Sequence, residues 1–164
     1  MILVGSFLLL NVAGIAQTPI KGEVRALYQR AVTDEGAAEK LIKMLKPFNS
    51  KNNPLWAGYK ASVTMLLAEH TFNPFKKLKY FNKGKKMLQE AVEADRTNIE
   101  LRFLRFTAQS NAPSFLGYDD HIQADKKFLL QKVPQLSDAT LKKYLISSLQ
   151  MTEVGHALEQ NVNN

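Results

Sequence analysis

The chain of 164 residues has no cysteine. That excludes disulfide frameworks, cysteine-based zinc sites, thiol nucleophiles and lipid attachment through an N-terminal cysteine. Glycine and proline are sparse, at eight and six, too few for a collagen-like or linker-dominated chain, and no low-complexity tract is present. Sustained strand alternation is missing as well. Two further shortages are local: no charged side chain occurs from Met1 to Ala16, and no acidic one between Glu69 and Glu90. The remainder is ordinary, with 45% hydrophobic and 23% charged residues, the balance of a folded domain with one core.

The uncharged N-terminus has the form of a secretory signal, although no basic segment precedes its apolar run. The run Ile2 to Leu10 continues through Val12 and Ile15, and Gly14-Ile15-Ala16 places small residues where a signal peptidase cuts, before Gln17. The stretch is short of the roughly 20 apolar residues that a spanning helix needs, and no other stretch approaches that length. The expected organisation is a cleaved signal at 1–16, one helical domain over 17–157 and a frayed tail over 158–164. Periplasm or cell envelope is the expected address, with no transmembrane segment in the mature chain. The net charge of +7 falls on the mature part and favours acidic surfaces: anionic lipid, polyanionic glycan, nucleic acid or an acidic protein. Export argues against nucleic acid.

From Gly22 onward apolar residues recur with helical spacing. Val24, Leu27, Tyr28 and Ala31 predict a first helix ending near Val32. Asp34 caps a second, with the stripe Ala38, Leu41, Ile42 and Leu45 and a stop at Pro47. Pro54 suits the first turn of a third, carrying Trp56, Tyr59, Val63, Leu66 and Leu67. Asn73-Pro74 breaks the pattern. A fourth helix carries Tyr80, Gly84, Met87, Leu88 and Ala91, and a fifth carries Ile99, Phe103 and Phe106. Asp119 and Asp120 mark the start of a sixth that stops at Pro134. Ser137 and Asp138 open a seventh, with Leu141, Tyr144, Leu145 and Leu149. The class is all-α, about seven helices.

Gly84, Leu88 and Ala91, followed by Asp95 and Asn98, resemble the second helix and closing turn of a tetratricopeptide repeat. The resemblance implies antiparallel helix pairs stacked as a short right-handed array, in which small residues let paired helices approach. Two features depart from the family pattern. Arg96 stands where the turn usually has proline, and Asn53 and Asn98 are 45 residues apart against a usual period of about 34. An insertion around Thr71 to Lys79 accounts for the excess. The segments Asn73 to Lys86, Glu100 to Arg105 and Asn111 to Tyr118 are also similar to motifs of an uncharacterised group of exported bacterial proteins, which implies export and fold but no activity.

Candidate chemistry is thin. Lys76, Lys77, Lys79, Lys83, Lys85 and Lys86 interleave with Phe72, Phe75, Tyr80 and Phe81. They read either as an electropositive aromatic patch for a phosphate-rich surface or as a solvated helix face whose aromatics belong to the core. Arg102 and Arg105, one turn apart, either line a concave groove that grips a carboxylate or phosphate, or pair with Glu90 and Glu93 on the preceding helix. His70, His121 and His156 lack any metal-ligand spacing, and Ser114 does not sit in a nucleophile elbow. No catalytic residue, metal site or cofactor is expected. The leading functional expectation is a non-enzymatic module that binds a partner protein or peptide. A peripheral binder of anionic lipid or glycan through Lys76–Lys86, and an enzyme of unidentified type, are the alternatives.

Overall fold

The computed structural model describes residues 19–150 together with Thr152, Val154 and Leu158. The expected signal and its cleavage point lie outside the described residues, as does the tail beyond Leu158. Leu158 itself, placed by sequence at the start of the tail, is buried in the core. The described residues form seven α-helices and no strand. These are α1 (Lys21–Ala31), α2 (Glu35–Met44), α3 (Pro54–Leu66), α4 (Pro74–Ala94), α5 (Ile99–Ser110), α6 (Ile122–Lys132) and α7 (Ala139–Leu149), with a short 3-10 turn at Ser114–Leu116 between α5 and α6. None of them is long and apolar enough to cross a membrane.

Local chemistry sets most of the starts. Asp34, Asn53, Asn73, Asn98 and Asp138 each occupy an N-cap and accept backbone N–H bonds from the first turn that follows, satisfying donors that a helix start leaves orphaned. Proline opens α3 and α4, where its missing N–H costs nothing. The turn before α5 is closed on itself, because Asn98 Nδ2 donates to Asp95 Oδ2 at 3.1 Å while Asn98 Oδ1 accepts from Glu100 and Leu101. α6 departs from expectation. Its N-cap is His121, with no side-chain cap bond, and Asp119 contributes only its carbonyl, which accepts from Ile122 N–H.

The closest helix packing is between elements one and two places apart in the chain: α1 packs on α2 and α3, α3 on α4 and α5, and α5 on α6 and α7. The contact between α3 and α4 is the most extensive, and glycine makes it possible. A Cβ on Gly84 would stand 2.4 Å from Met65 Cγ and 2.7 Å from the Ala61 carbonyl oxygen. A Cβ on Gly58 would strike Leu101, so this second glycine lets α5 close on α3. Leu88 and Ala91 lie fully buried beside this seam, and Tyr59, Phe103, Leu104, Leu129 and Leu145 carry the core along the molecule.

α4 is longer than its partner, at 21 residues against 13 for α3. Gly84 meets α3 close to the end of that helix at Leu66, so the turns of α4 before it overrun α3. The excess that the sequence places around Thr71 to Lys79 is therefore mostly helix. Substituting Gly84→Ala should destabilise the protein by about 1–3 kcal/mol despite the better helix propensity of alanine, because the helix backbones must separate. Gly22→Ala, with nothing within 4 Å of the added carbon, should stay within about half a kcal/mol of the parent. Urea unfolding monitored by circular dichroism checks both.

Candidate functional site

Two buried polar clusters organise the helices, one around Glu100 and one around Asp125. In the first, the Arg25 guanidinium on α1 grips Glu100 on α5 with both carboxylate oxygens engaged, at 2.9 and 2.8 Å. Tyr59 on α3 donates to the same carboxylate at 2.7 Å and stands 3.4 Å from the Tyr144 hydroxyl on α7. The Arg25 guanidinium also lies over the Tyr144 ring, 5.5 Å from its centroid. Every odd-numbered helix thus contributes to one network. Its bond to Glu100 pushes the Arg25 pKa up, against the effect of burial. Burial, reinforced by the neighbouring tyrosine and carboxylate, pushes the Tyr59 hydroxyl well up, so it stays protonated as a donor. Gln29 on α1 adds a bond to Ser148 on α7 at 3.3 Å.

The second cluster corrects the reading of Arg102 and Arg105. Both converge on Asp125 of α6, whose side chain is wholly inaccessible to solvent. Arg105 binds it with two N–H groups at 2.8 and 3.0 Å and adds Gln89 Oε1 at 3.3 Å. Arg102 pairs with the same carboxylate, donates to the Ala124 carbonyl at 3.1 Å and lies over the Phe128 ring, 4.4 Å from its centroid. Neither arginine pairs with Glu90 or Glu93, and neither is free to grip a ligand. Their partner comes from the following helix, 20 or more positions away in the chain.

The lysine run is arranged differently. Lys76, Lys77, Lys79, Lys83 and Lys86 are exposed and Lys85 is partly so. The aromatic residues divide. Phe81 packs on the core and Tyr80 is half-buried, as expected of core aromatics. Phe72 and Phe75 are not core residues: Phe72 is fully exposed, Phe75 is 83% exposed, and Leu78 beside them is 50% exposed. The cause is the overrun of α4 and of the turn that leads into it, which no other helix covers among the described residues. Lys83 approaches Lys60, whose pKa is lowered first by burial and then by that charge. Lys60 donates to the Phe48 and Lys46 carbonyls in the turn that follows α2.

The remaining named groups are dispersed. His70 Nε2 bonds the Ala31 carbonyl, at the end of α1, at 2.8 Å. Glu69 and Ser114 are exposed. No group of three metal-ligating side chains occurs among the described residues. Sequence reasoning missed Glu100, Tyr59 and Asp125 as polar partners. The one signal for Glu100 was a carboxylate directly between apolar Ile99 and Leu101.

Fold and surface together define an all-helical protein with internally paired arginines and a basic, apolar overhang on α4. No protein-family model, curated protein or solved structure matches the chain.

Removing Asp125 leaves two guanidinium groups without their shared counter-charge. Asp125→Ala should cost about 3–5 kcal/mol, read as a lowered urea midpoint. Asp34 provides a pH test. Bonds from Ala37 N–H first, and then from Arg30, hold its carboxyl below the usual carboxylate range. Its folded pKa lies below its unfolded one, so its contribution is complete above the unfolded value and is lost as pH falls through the folded value. Asp34→Asn should therefore flatten the fall in melting temperature at acid pH, and an unchanged pH profile would contradict the assignment.

Proposed function

We propose that the chain is a non-enzymatic, tetratricopeptide-like module of the bacterial envelope, exported by its N-terminal signal, that binds anionic lipid surfaces peripherally through the projecting end of α4. The observation that carries the reading is the exposure of Phe72, Phe75 and Leu78 among Lys76, Lys77, Lys79 and Lys83. Cationic side chains are attracted to anionic headgroups, and apolar ones enter the boundary beneath them. The array reading draws support from Gly84, Leu88 and Ala91 at one helix seam, from the Asp95–Asn98 turn, and from backbone packing between helices one and two places apart.

A partner peptide held in a concave groove is favoured less. Side chains of α1, α3, α5 and α7 meet there and fill the space that a peptide would take. An enzyme is also favoured less, since His70, Glu69, Arg102 and Arg105 do not converge. A partner protein with an acidic face remains the competing occupant of the α4 end.

Vesicle co-sedimentation tests the proposal. Binding to phosphatidylglycerol-containing vesicles should weaken with added salt and be absent for phosphatidylcholine alone. Each basic side chain near such a surface contributes about 1 kcal/mol. Reversing Lys76, Lys77 and Lys79 to glutamate should therefore weaken binding at least about a hundredfold. Binding that survives the triple reversal would sink the reading.

A further inference from the structure

We propose that the Pro113–Tyr118 turn is a second membrane-contacting element, which places Phe115 in the headgroup–acyl boundary of the same anionic lipid surface that receives the end of α4. The inference rests on the lipid reading above. Phe115 is 84% exposed at the tip of the turn. A lone exposed aromatic means little; the seating of its turn on α4 through Tyr118 gives it meaning.

The base of the turn is seated on α4. Tyr118 is buried, and its ring meets Phe81 edge-to-face at 5.7 Å and 87°. Lys85 Nζ lies over the same ring, 4.7 Å from its centroid. Gly117 makes the reversal possible with φ at 53°, the left-handed region that other residues rarely adopt. Tyr118 can therefore return to the helix while Phe115 stays in solvent. Burial pushes the Tyr118 hydroxyl up to about 12, so the ring that Lys85 covers stays neutral at neutral pH.

The turn lies on a particular stripe. On a helix, residues three, four and seven apart share a face, and Leu78, Phe81 and Lys85 follow that spacing, with Phe75 one turn earlier. Tyr118 thus covers the later part of the stripe whose earlier part, Phe75 and Leu78, is bare. At 1.5 Å per residue, Phe75 and Phe81 are only about 9 Å apart along the axis, comparable to the roughly 5–10 Å that interfacial helices sink into a bilayer. Lys76, Lys79, Lys83 and Lys86 recur at the same spacing on the adjoining face, so a cationic row flanks the apolar stripe. An acidic protein would satisfy the lysines alone. Bare apolar side chains on two separate elements, bordered by cations, fit a fluid apolar layer under anionic headgroups. Two points of insertion also fix the rotation of the molecule about α4, which one helix end cannot do.

The absence of cysteine makes the test direct, because a single introduced thiol takes a polarity-sensitive dye at one place only. The full chain would be labelled separately at Phe75→Cys, Phe115→Cys and, as a control, exposed Lys143→Cys on α7. With phosphatidylglycerol-containing vesicles, emission at 75 and 115 should shift to the blue and rise several-fold, while 143 stays as in water. Phe115→Ser should bind vesicles about tenfold more weakly with an unchanged melting temperature, since the side chain is exposed. A response at 75 with none at 115 overturns the inference and leaves the lipid reading standing. Silence at both, with no co-sedimentation of unlabelled chain, overturns both. An equal response to polyglutamate in place of vesicles points to an acidic protein and overturns both as well.

Discussion

The carboxylate of Glu100 is where the architecture meets. It is nearly inaccessible, yet it accepts two bonds from Arg25 and one from Tyr59, so α1, α3 and α5 are tied to one point, and Tyr144 brings α7 to its edge. Taking such charges out of water is costly, and a buried pair adds little net stability over an apolar replacement. Its effect is on registry. An apolar face tolerates sliding by a residue, whereas a bidentate pair permits one alignment of α1 on α5. The Asp125 cluster does the same on the other side of α5, where a single carboxylate holds two arginines from consecutive turns of the helix.

These two clusters also decide what surface is left. Arg25, Arg102 and Arg105 are consumed internally, by Glu100 and Asp125. The lysine row of α4, by contrast, keeps its charge in solvent. It stands beside exposed aromatic side chains for a simple mechanical reason: α4 extends past the end of α3, and among the described residues no other helix lies along its first turns. The turn between α5 and α6 reaches α4 through Tyr118 and ends this bare stretch at Phe81.

Legibility followed the range of the interactions. Helix starts at Asp34, Asn53, Asn73, Asn98 and Asp138 were readable because a cap bonds to N–H groups two or three residues away. Gly84 was readable as a close-packing position because Gly84, Leu88 and Ala91 resemble the small-bulky-small pattern of a tetratricopeptide helix. The partners of Arg102 and Arg105 were not. Glu90 and Glu93 are nearer in the chain than Asp125, yet the packing of α6 on α5 brings Asp125 to the arginines. Phe72 and Phe75 could equally have been core or surface from their spacing, since exposure depends on where the neighbouring helix stops.

The sequence by itself determined an all-helical chain, most of its helix boundaries to within a residue or two, its apolar stripes and the location of its lysine row. Each of these follows from hydrogen bonds and periodicity over short spans of chain. Only the tertiary structure decided that Arg25, Tyr59, Glu100 and Tyr144 form one buried network, that Asp125 takes both Arg102 and Arg105, and that Phe72, Phe75 and Phe115 face solvent. Those outcomes depend on which helix ends lie beside one another, a quantity fixed by long-range packing and written in no local stretch of the chain.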